Sequence, residues 1–352
     1  MPRTLTAASL ESLAQSLLTA AGMPPEMAVD VASVLVEGDL LGHRTHGLRL
    51  LPTYLGEIGS GGMAVQGEPL VLRDGGAVAL WDGRRLPGPW VTLRAIALAS
   101  ERARQFGMGA VSVRQCHHVA ALAPYARRVA EGGQVLLLMS SAPAGGSVAP
   151  FGGTEALFSP SPIAAGFPAG ASADPVLVDV STSSTTNNKV AQYLRAGRRL
   201  EHAWLQDREG RPTDDPAALG AGKGTILPLG GKDNGHKGYG LSLMVEALTA
   251  GLSGHGRGDA NAPWGATLFV QVLEPQAFAG VSAFNDKMEW VAEHCRANPP
   301  LEAGEPVRTP GERGLALRRE QLAKGLALDE DTVAGLRSWA ARLDVDASVL
   351  DA

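Results

Sequence analysis

Only two of the 352 residues are cysteine, Cys116 and Cys295, too few for a disulfide framework or for a metal site built from paired thiolates. That usage predicts a reducing cytoplasm. A basic excess is also lacking: 31 Lys and Arg stand against 36 Asp and Glu, the net charge is −5, and the isoelectric point lies near 5.9. A general binder of phosphate backbones is expected to carry a basic face, so small molecules are favoured over nucleic acid as partners. No apolar run approaches the roughly 18 residues of a membrane span, the best candidate being Val135 to Met139. The first 23 residues are interrupted by Glu11 and Gln15 and carry Leu10, Leu13, Leu17 and Leu18 at helical spacing. They read as an amphipathic helix and not as a signal peptide.

Two nucleotide-binding signatures are also missing. The stretch Gly59 to Ala64 has the glycine spacing of a dinucleotide fingerprint, but a helix precedes it where the motif needs a strand. Gly222-Lys223-Gly224-Thr225 has Ala217 where a phosphate loop needs its first glycine and Gly224 where it needs Ser or Thr, so it reads as a turn. No pair of histidines or carboxylates has metal-ligand spacing on a helix, and no metal is expected.

What is abundant is glycine (44), proline (23) and apolar side chains (45%), the composition of a globular protein rich in tight turns. Residues 1 to about 58 are expected to be helical: one helix to Gly22, a second opened by Pro24-Pro25, a third over Leu48 to Ile58. Two β-α-β units follow, with strands at Ala77–Trp81, Ala110–Val113 and Val135–Met139 and helices at about 89–105 and 119–130. Parallel strands joined by helices imply a sheet covered on both faces, and the apolar run ending at Met139 suits one. Further strands are predicted at Ile163–Phe167, Val176–Asp179 and Thr225–Leu227, with some antiparallel pairing. A long helix is predicted from Lys237 to Leu252, a strand at Thr267–Leu273, and a last helix from Thr332 to Leu343 capped by Asp331.

Histidines carry the chemistry, because a reference pKa of about 6.5 lets the side chain hold and release a proton near neutral pH. His46 lies in Gly42-His43-Arg44-Thr45-His46-Gly47, a polar break between apolar helices, whose bland reading, favoured for a lone histidine, is a capped helix junction. His117-His118 directly follow a strand, at the carboxyl edge of the sheet where α/β proteins bind ligands. Asp179 to Lys189 also follows a strand and offers hydroxyls and amides able to bind ribose or phosphate; its bland reading is a polar surface loop.

Read together, the segments resemble the type-2 malate/L-lactate dehydrogenase family, which includes sulfolactate, ureidoglycolate and diketogulonate oxidoreductases and reductases of cyclic imino acids. The matching segments are Gly42 to Tyr54, Asp82-Gly83, Val113 to Ala126, Ala149 to Gly153, Ser159 to Ala164, Asp179 to Lys189, Asp207 to Pro216, Pro228 to Leu243 and Pro310 to Glu312. The resemblance implies an enzyme using NAD or NADP that moves a hydride to or from C2 of a small 2-hydroxy or 2-oxo acid, or alternatively reduces a cyclic imino acid. It also implies a homodimer with the active site near the subunit interface. The expected fold is α/β and three-layered, with a mixed, mostly parallel sheet that is not of Rossmann type and a helical domain drawn from both termini. Residues 1–72 with 291–352 would form the helical domain, and 73–290 the nicotinamide-binding domain.

By the same resemblance His46 and His118 are the catalytic candidates, one of them the proton donor, with His118 also beside the nicotinamide and Lys189 a polar partner in the pocket. The cofactor cradle would comprise Ser159 and Ser161, where the family has Gly-Thr-Asn-Pro, together with Asp179, Ser181, Thr182 and Ser183. His236-Lys237-Gly238, as a cation with helix amino-terminal amides, and Pro310-Gly311-Glu312 would complete it. Two departures bear on the substrate. Thr45 replaces a serine, and Leu50 stands where many members have an arginine suited to clamp a carboxylate; the nearest arginine is Arg49. Thr45 and Arg49 are therefore the substrate-binding candidates. The choice between NAD and NADP stays open among Arg195, Arg198, Lys232 and Arg313. An inactive nucleotide-binding relative and a metal-dependent hydrolase are the rival classes.

Overall fold

The computed structural model describes residues 4–170, 173–259 and 263–351. Helix α1 (Ala7–Ala20) starts at Thr6, whose hydroxyl accepts from the Ser9 amide, and buries Leu10, Leu13, Leu17 and Leu18 on one face. Helix α2 (Pro25–Leu40) opens with proline at its first position and is buried over almost its whole second half. Short 3-10 turns at Arg44–His46 and Leu48–Leu50 lead into α3 (Leu51–Gly59).

The next stretch alternates: β1 (Leu70–Asp74), β2 (Val78–Asp82), α4 (Gly88–Phe106), β3 (Met108–Cys116), α5 (Ala123–Glu131) and β4 (Val135–Ser141). Then come β5 (Ile163–Phe167), β6 (Val176–Val180) and α6 (Asn187–Arg195), the last forming where a polar loop was one of the expectations. Three two-residue strands follow: β7 (Leu205–Gln206), β8 (Pro212–Thr213) and β9 (Thr225–Ile226). Helix α7 (Gly231–Glu246) runs into a π-helical turn at Ala247–Gly251 and is followed by β10 (Ala266–Leu273) and α8 (Val281–Arg296). Helices α9 (Glu312–Lys324) and α10 (Glu330–Leu343) close the chain.

Seven strands form one mixed sheet in the order β1-β2-β3-β10-β4-β5-β6. The expectation of a mostly parallel sheet is corrected: only β2 and β3 pair in parallel, and the other five adjacent pairs are antiparallel. Strands β2, β3 and β4 do run the same way, as two β-α-β units require. The late strand β10 inserts antiparallel between β3 and β4, and local patterning carries no signal for that insertion.

Helices α4 and α5 cover one face of the sheet, with α2 packed across both, while α7 and its π turn pack against the central strands. One apolar cluster runs from α1 and α2 through Trp90 and Tyr125 to Leu136, Leu138, Val270 and Val272. The boundaries expected near 72 and 291 fall inside β1 and α8. A smaller cluster, including Phe158, Val190, Tyr193 and Leu205, joins α6 to the three-stranded sheet β8-β7-β9. Two local corrections concern helix starts. Helix α7 begins at Gly231, so Lys237 lies on its second turn, and Asp329 caps α10, its carboxylate accepting from the Thr332 amide at 2.9 Å.

Candidate active site

The described residues enclose a cavity of about 640 Å³ at one edge of the sheet. The carboxyl ends of β3, β4 and β6 supply His118, Ser140, Ser141 and Ser181, and the antiparallel strands β5 and β10 begin there with Pro162 and Ala266 close by. The 3-10 turn after α2 adds His43, Thr45 and His46, and the first turn of α6 adds Asn187 and Asn188.

Backbone packing sets the histidines. Gly88, at the start of α4, lies so close beneath them that a Cβ there would sit 2.4 Å from the His117 carbonyl oxygen and 2.3 Å from that of His118. The two neighbours then part ways. His117 is buried and turns inward, its Nε2 lying 3.2 Å from Glu57 Oε2; burial lowers its pKa, against the opposing pull of Glu57. His118 faces the cavity, its ring near parallel to those of His46 at 5.9 Å and Trp264 at 5.2 Å, with interplanar angles of 19° and 24°.

Hydrogen bonds fix the His118 tautomer. The Ala120 amide, which can only donate, points at His118 Nδ1 from 3.3 Å, so that nitrogen is an acceptor and the ring proton resides on Nε2. Tyr54 Oη lies 2.9 Å from the same Nδ1 and 3.1 Å from the His118 carbonyl oxygen; burial drives its own pKa well above the usual tyrosine value, so it stays a donor. Ala120 reaches this position with a left-handed backbone, φ 60°, an arrangement that costs of order 1–3 kcal/mol and is found where surrounding structure enforces it. Burial, then His46 and His117, push the His118 pKa down to about 3, so the ring is neutral across the physiological range.

His46 differs. Its Nδ1 lies 2.9 Å from Thr45 Oγ1, and Nε2 has no protein partner among the described residues. Burial lowers its pKa, Asp179 opposes that, and His43 adds to it. The Asp179 carboxylate is anchored at the start of α5, accepting from the amides of Leu122 at 3.1 Å and Ala123 at 2.8 Å.

Of the other sequence candidates, Ser159, Ser161 and Ser181 line the same cavity, and Ser161 is fully buried with φ 40°. Thr182 and Ser183 do not line it. Thr182 Oγ1 donates to the Pro160 carbonyl and accepts from Ser242, while Ser183 Oγ donates to the Thr185 carbonyl, which ties strand ends together. Lys189 turns outward to Glu201 at 3.4 Å and lies over the Trp204 ring at 4.5 Å. Arg49 also leaves the cavity, drawn to Asp329 and Asp331 at the start of α10, at 3.5 and 3.4 Å.

His236 and Lys237 are exposed on α7, away from the cavity lining, and Gly238 is buried there with its amide donating to Leu229. The anion site expected from amino-terminal amides at Lys237 is therefore corrected by the earlier helix start. Pro310-Gly311-Glu312 forms a clasp: the Pro310 carbonyl accepts from the Leu177 amide on β6, and Glu312 accepts from Arg296 and from the Thr309 amide. Sequence reasoning missed Trp264, an isolated ring between Pro263 and Gly265. It also missed the role of Tyr54, which lies on α3 and meets His118 across 64 positions of sequence.

A nicotinamide nucleotide fits this lining. The volume is in the range of small-molecule sites, Ser140, Ser159 and Ser181 offer hydroxyls, and Ser147 Oγ is buried on the wall with no protein partner. Among the described residues, no group of three or more His, Cys, Asp or Glu is arranged to hold a metal ion, and no helix is long and apolar enough to cross a membrane.

Comparison with known proteins agrees over the full length. The malate dehydrogenase of Pyrococcus horikoshii is 32% identical over 338 residues, 94% of this chain and 92% of its own. Its solved structure superposes with a TM-score of 0.88, covering 98% of this chain and 97% of that one. The (2R)-3-sulfolactate dehydrogenase (NADP(+)) of Chromohalobacter salexigens is 33% identical, covering 97% of this chain and 99% of its own. A Δ1-pyrroline-2-carboxylate/Δ1-piperideine-2-carboxylate reductase of Pseudomonas syringae pv. tomato is 30% identical, with 96% of each chain covered. The family described as malate/L-lactate dehydrogenase matches residues 5–337, and the chain, an oxidoreductase, belongs to that family.

Proposed function

We propose that the protein interconverts a small 2-hydroxy acid and its 2-oxo acid with NAD or NADP as hydride partner, and that His46 is the general acid–base. The observation that carries the assignment is the His46–His118 ring pair in one cavity, His46 with Nε2 free of any protein partner among the described residues and His118 with Nδ1 accepting from the Ala120 amide. His118, neutral with its proton on Nε2, is a fixed hydrogen-bond donor to the substrate oxygen and cannot supply a proton at neutral pH. His46 can: its depressed pKa favours the neutral ring, and in the tautomer whose Nδ1–H donates to Thr45 Oγ1 its Nε2 is the lone-pair nitrogen that takes the hydroxyl proton as the C2–H bond breaks and the C2=O bond forms. In reduction the same nitrogen, when protonated, returns the proton to the oxygen. The bound nicotinamide supplies or accepts the hydride.

In this reading Ser159, Ser161, Ser181 and Ser147 would hold the nucleotide, supported by their place in the cavity lining and by the unpartnered Ser147 hydroxyl. Self-association as a homodimer and a cytoplasmic setting belong to this reading, the first from the family resemblance and the second from the two unpaired cysteines. The testing experiment follows NADH and NADPH oxidation by absorbance with a panel of 2-oxo acids and cyclic imino acids. Turnover with a 2-oxo acid, and its reversal with the matching hydroxy acid, is expected and identifies the cofactor. Turnover of cyclic imines alone would replace the 2-oxo acid reading, and reduced nucleotide bound without any turnover would support an inactive binder.

A further inference from the structure

Resting on that reading, the geometry points to a narrower substrate class: acids with a single carboxylate and an apolar group on C3, selected by Leu50 and Trp264. Leu50 ends the 3-10 turn that follows His46 and precedes Tyr54, the tyrosine bonded to His118. It lines the cavity with only 9% of its surface exposed. Trp264 stacks on His118 at 5.2 Å and lines the same cavity, as do Val119 and Ala266, the last two at most 5% exposed. The part of the lining made by Leu50, Val119, Trp264 and Ala266 is thus apolar and aromatic.

The charges of this region are committed elsewhere. Arg49, adjacent to Leu50, is drawn out to Asp329 and Asp331. Asp179, the carboxylate among the lining residues, already puts negative charge near His46. A second anionic group on C3 would lose its hydration against Leu50 and Trp264 and also meet the field of Asp179, a loss that an alkyl group of the same shape does not suffer. The carboxylate at C1, common to all these acids, has the polar side of the cavity, where Asn188 Nδ2 donates to the Thr45 carbonyl beside His46 and the first turn of α6 opens.

The test compares two isosteres, 4-methyl-2-oxopentanoate and oxaloacetate, which differ by an isopropyl group in place of a carboxylate. The wild-type enzyme is expected to favour the first in kcat/KM by at least about 100-fold. Leu50→Arg is expected to move that ratio at least about tenfold toward oxaloacetate. Should Leu50→Arg not fold, Leu50→Ala decides in its place: about a tenfold loss in kcat/KM with 4-methyl-2-oxopentanoate and less than about a twofold change with pyruvate, whose methyl group is too short to rest on residue 50. A wild-type preference for oxaloacetate, or a ratio unmoved by the substitution at residue 50, would overturn this inference while leaving the 2-oxo acid reading standing. Absence of turnover with every 2-oxo acid would overturn both.

Discussion

Two histidines with rings 5.9 Å apart are both pushed down by burial and differ in the charge beside them, Asp179 opposing the shift at His46 and only other imidazoles adding to it at His118. Burial, with His46 and His117 close by, holds His118 neutral, and the Ala120 amide at Nδ1 leaves its ring proton on Nε2. His46 has a hydroxyl at Nδ1 and Asp179 in range, which moderates the effect of burial. The pH dependence follows. Oxidation of the hydroxy acid needs unprotonated His46, so kcat/KM in that direction is expected to rise with pH and level off above a pKa below the usual 6.5 of histidine. Reduction needs the protonated ring, and its kcat/KM should fall as pH rises through the same value. His46→Ala is expected to lower turnover about 10²–10⁴-fold and to abolish that titration, with NADH or NADPH binding retained by fluorescence titration. A profile unchanged in His46→Ala would remove this residue from the proton step.

At the scale of elements, the last turn of α2 holds the catalytic turn in place. Asp39 Oδ2 accepts from the Leu48 amide at 2.8 Å, and Gly47 leaves the space, since a Cβ there would lie 2.3 Å from the Asp39 carboxyl. Burial pushes the Asp39 pKa from 3.8 up to about 7; its amide contact and Arg44 work against the rise, and Asp329 adds to it. A carboxyl raised on folding binds a proton that the unfolded chain has released. Its stabilising share is therefore full below about pH 4, declines as pH rises toward 7 and is flat beyond. Asp39→Asn keeps an acceptor for Leu48 and cannot ionise. The variant is expected to gain stability relative to wild type between pH 5 and pH 8, read as the difference in Tm at the two values. An equal difference at both pH values would count against a titrating Asp39.

The same scale shows what the sequence could and could not reveal. His46 and His118 were legible because each interrupts an apolar pattern, one between helices and one at a strand end, and both signals are local. Arg49 and Lys189 were read toward the pocket because their sequence neighbours are there. Their partners, Asp329, Asp331 and Glu201, come from segments whose approach is set by tertiary packing. Local apolar patterning located α1, α2, α4 and β5 closely, since each owes its form to its own apolar face or run. The insertion of β10 between β3 and β4 depends on the whole sheet.

For the molecule as a whole, the ion pairs that matter most for stability are those that join distant parts of the chain in a buried setting. Glu37 on α2 is 6% exposed and bonds Arg127 of α5 at 2.6 Å and Arg318 of α9 at 2.7 Å. One carboxylate thus ties the amino-terminal helices, the helical cover of the sheet and the carboxyl-terminal helices together. Removing its charge leaves Arg318 without a carboxylate among the described residues and Arg127 with Glu131 alone, and breaking a buried pair in this way typically costs up to about 3–5 kcal/mol. The exposed pair Glu320–Lys324, 3.0 Å apart within α9, is the internal control, because such surface pairs contribute about 0.3–0.5 kcal/mol. Glu37→Gln is therefore expected to lower the chemical denaturation midpoint markedly and Glu320→Gln hardly at all. Salt at 1 M, where the screening length falls to about 3 Å, is expected to erase the small effect of Glu320→Gln and leave most of that of Glu37→Gln. Equal losses in the two variants would mean that the Glu37 junction is no stronger than a surface contact, and the coupling of the three helical segments would then rest on their apolar cluster alone.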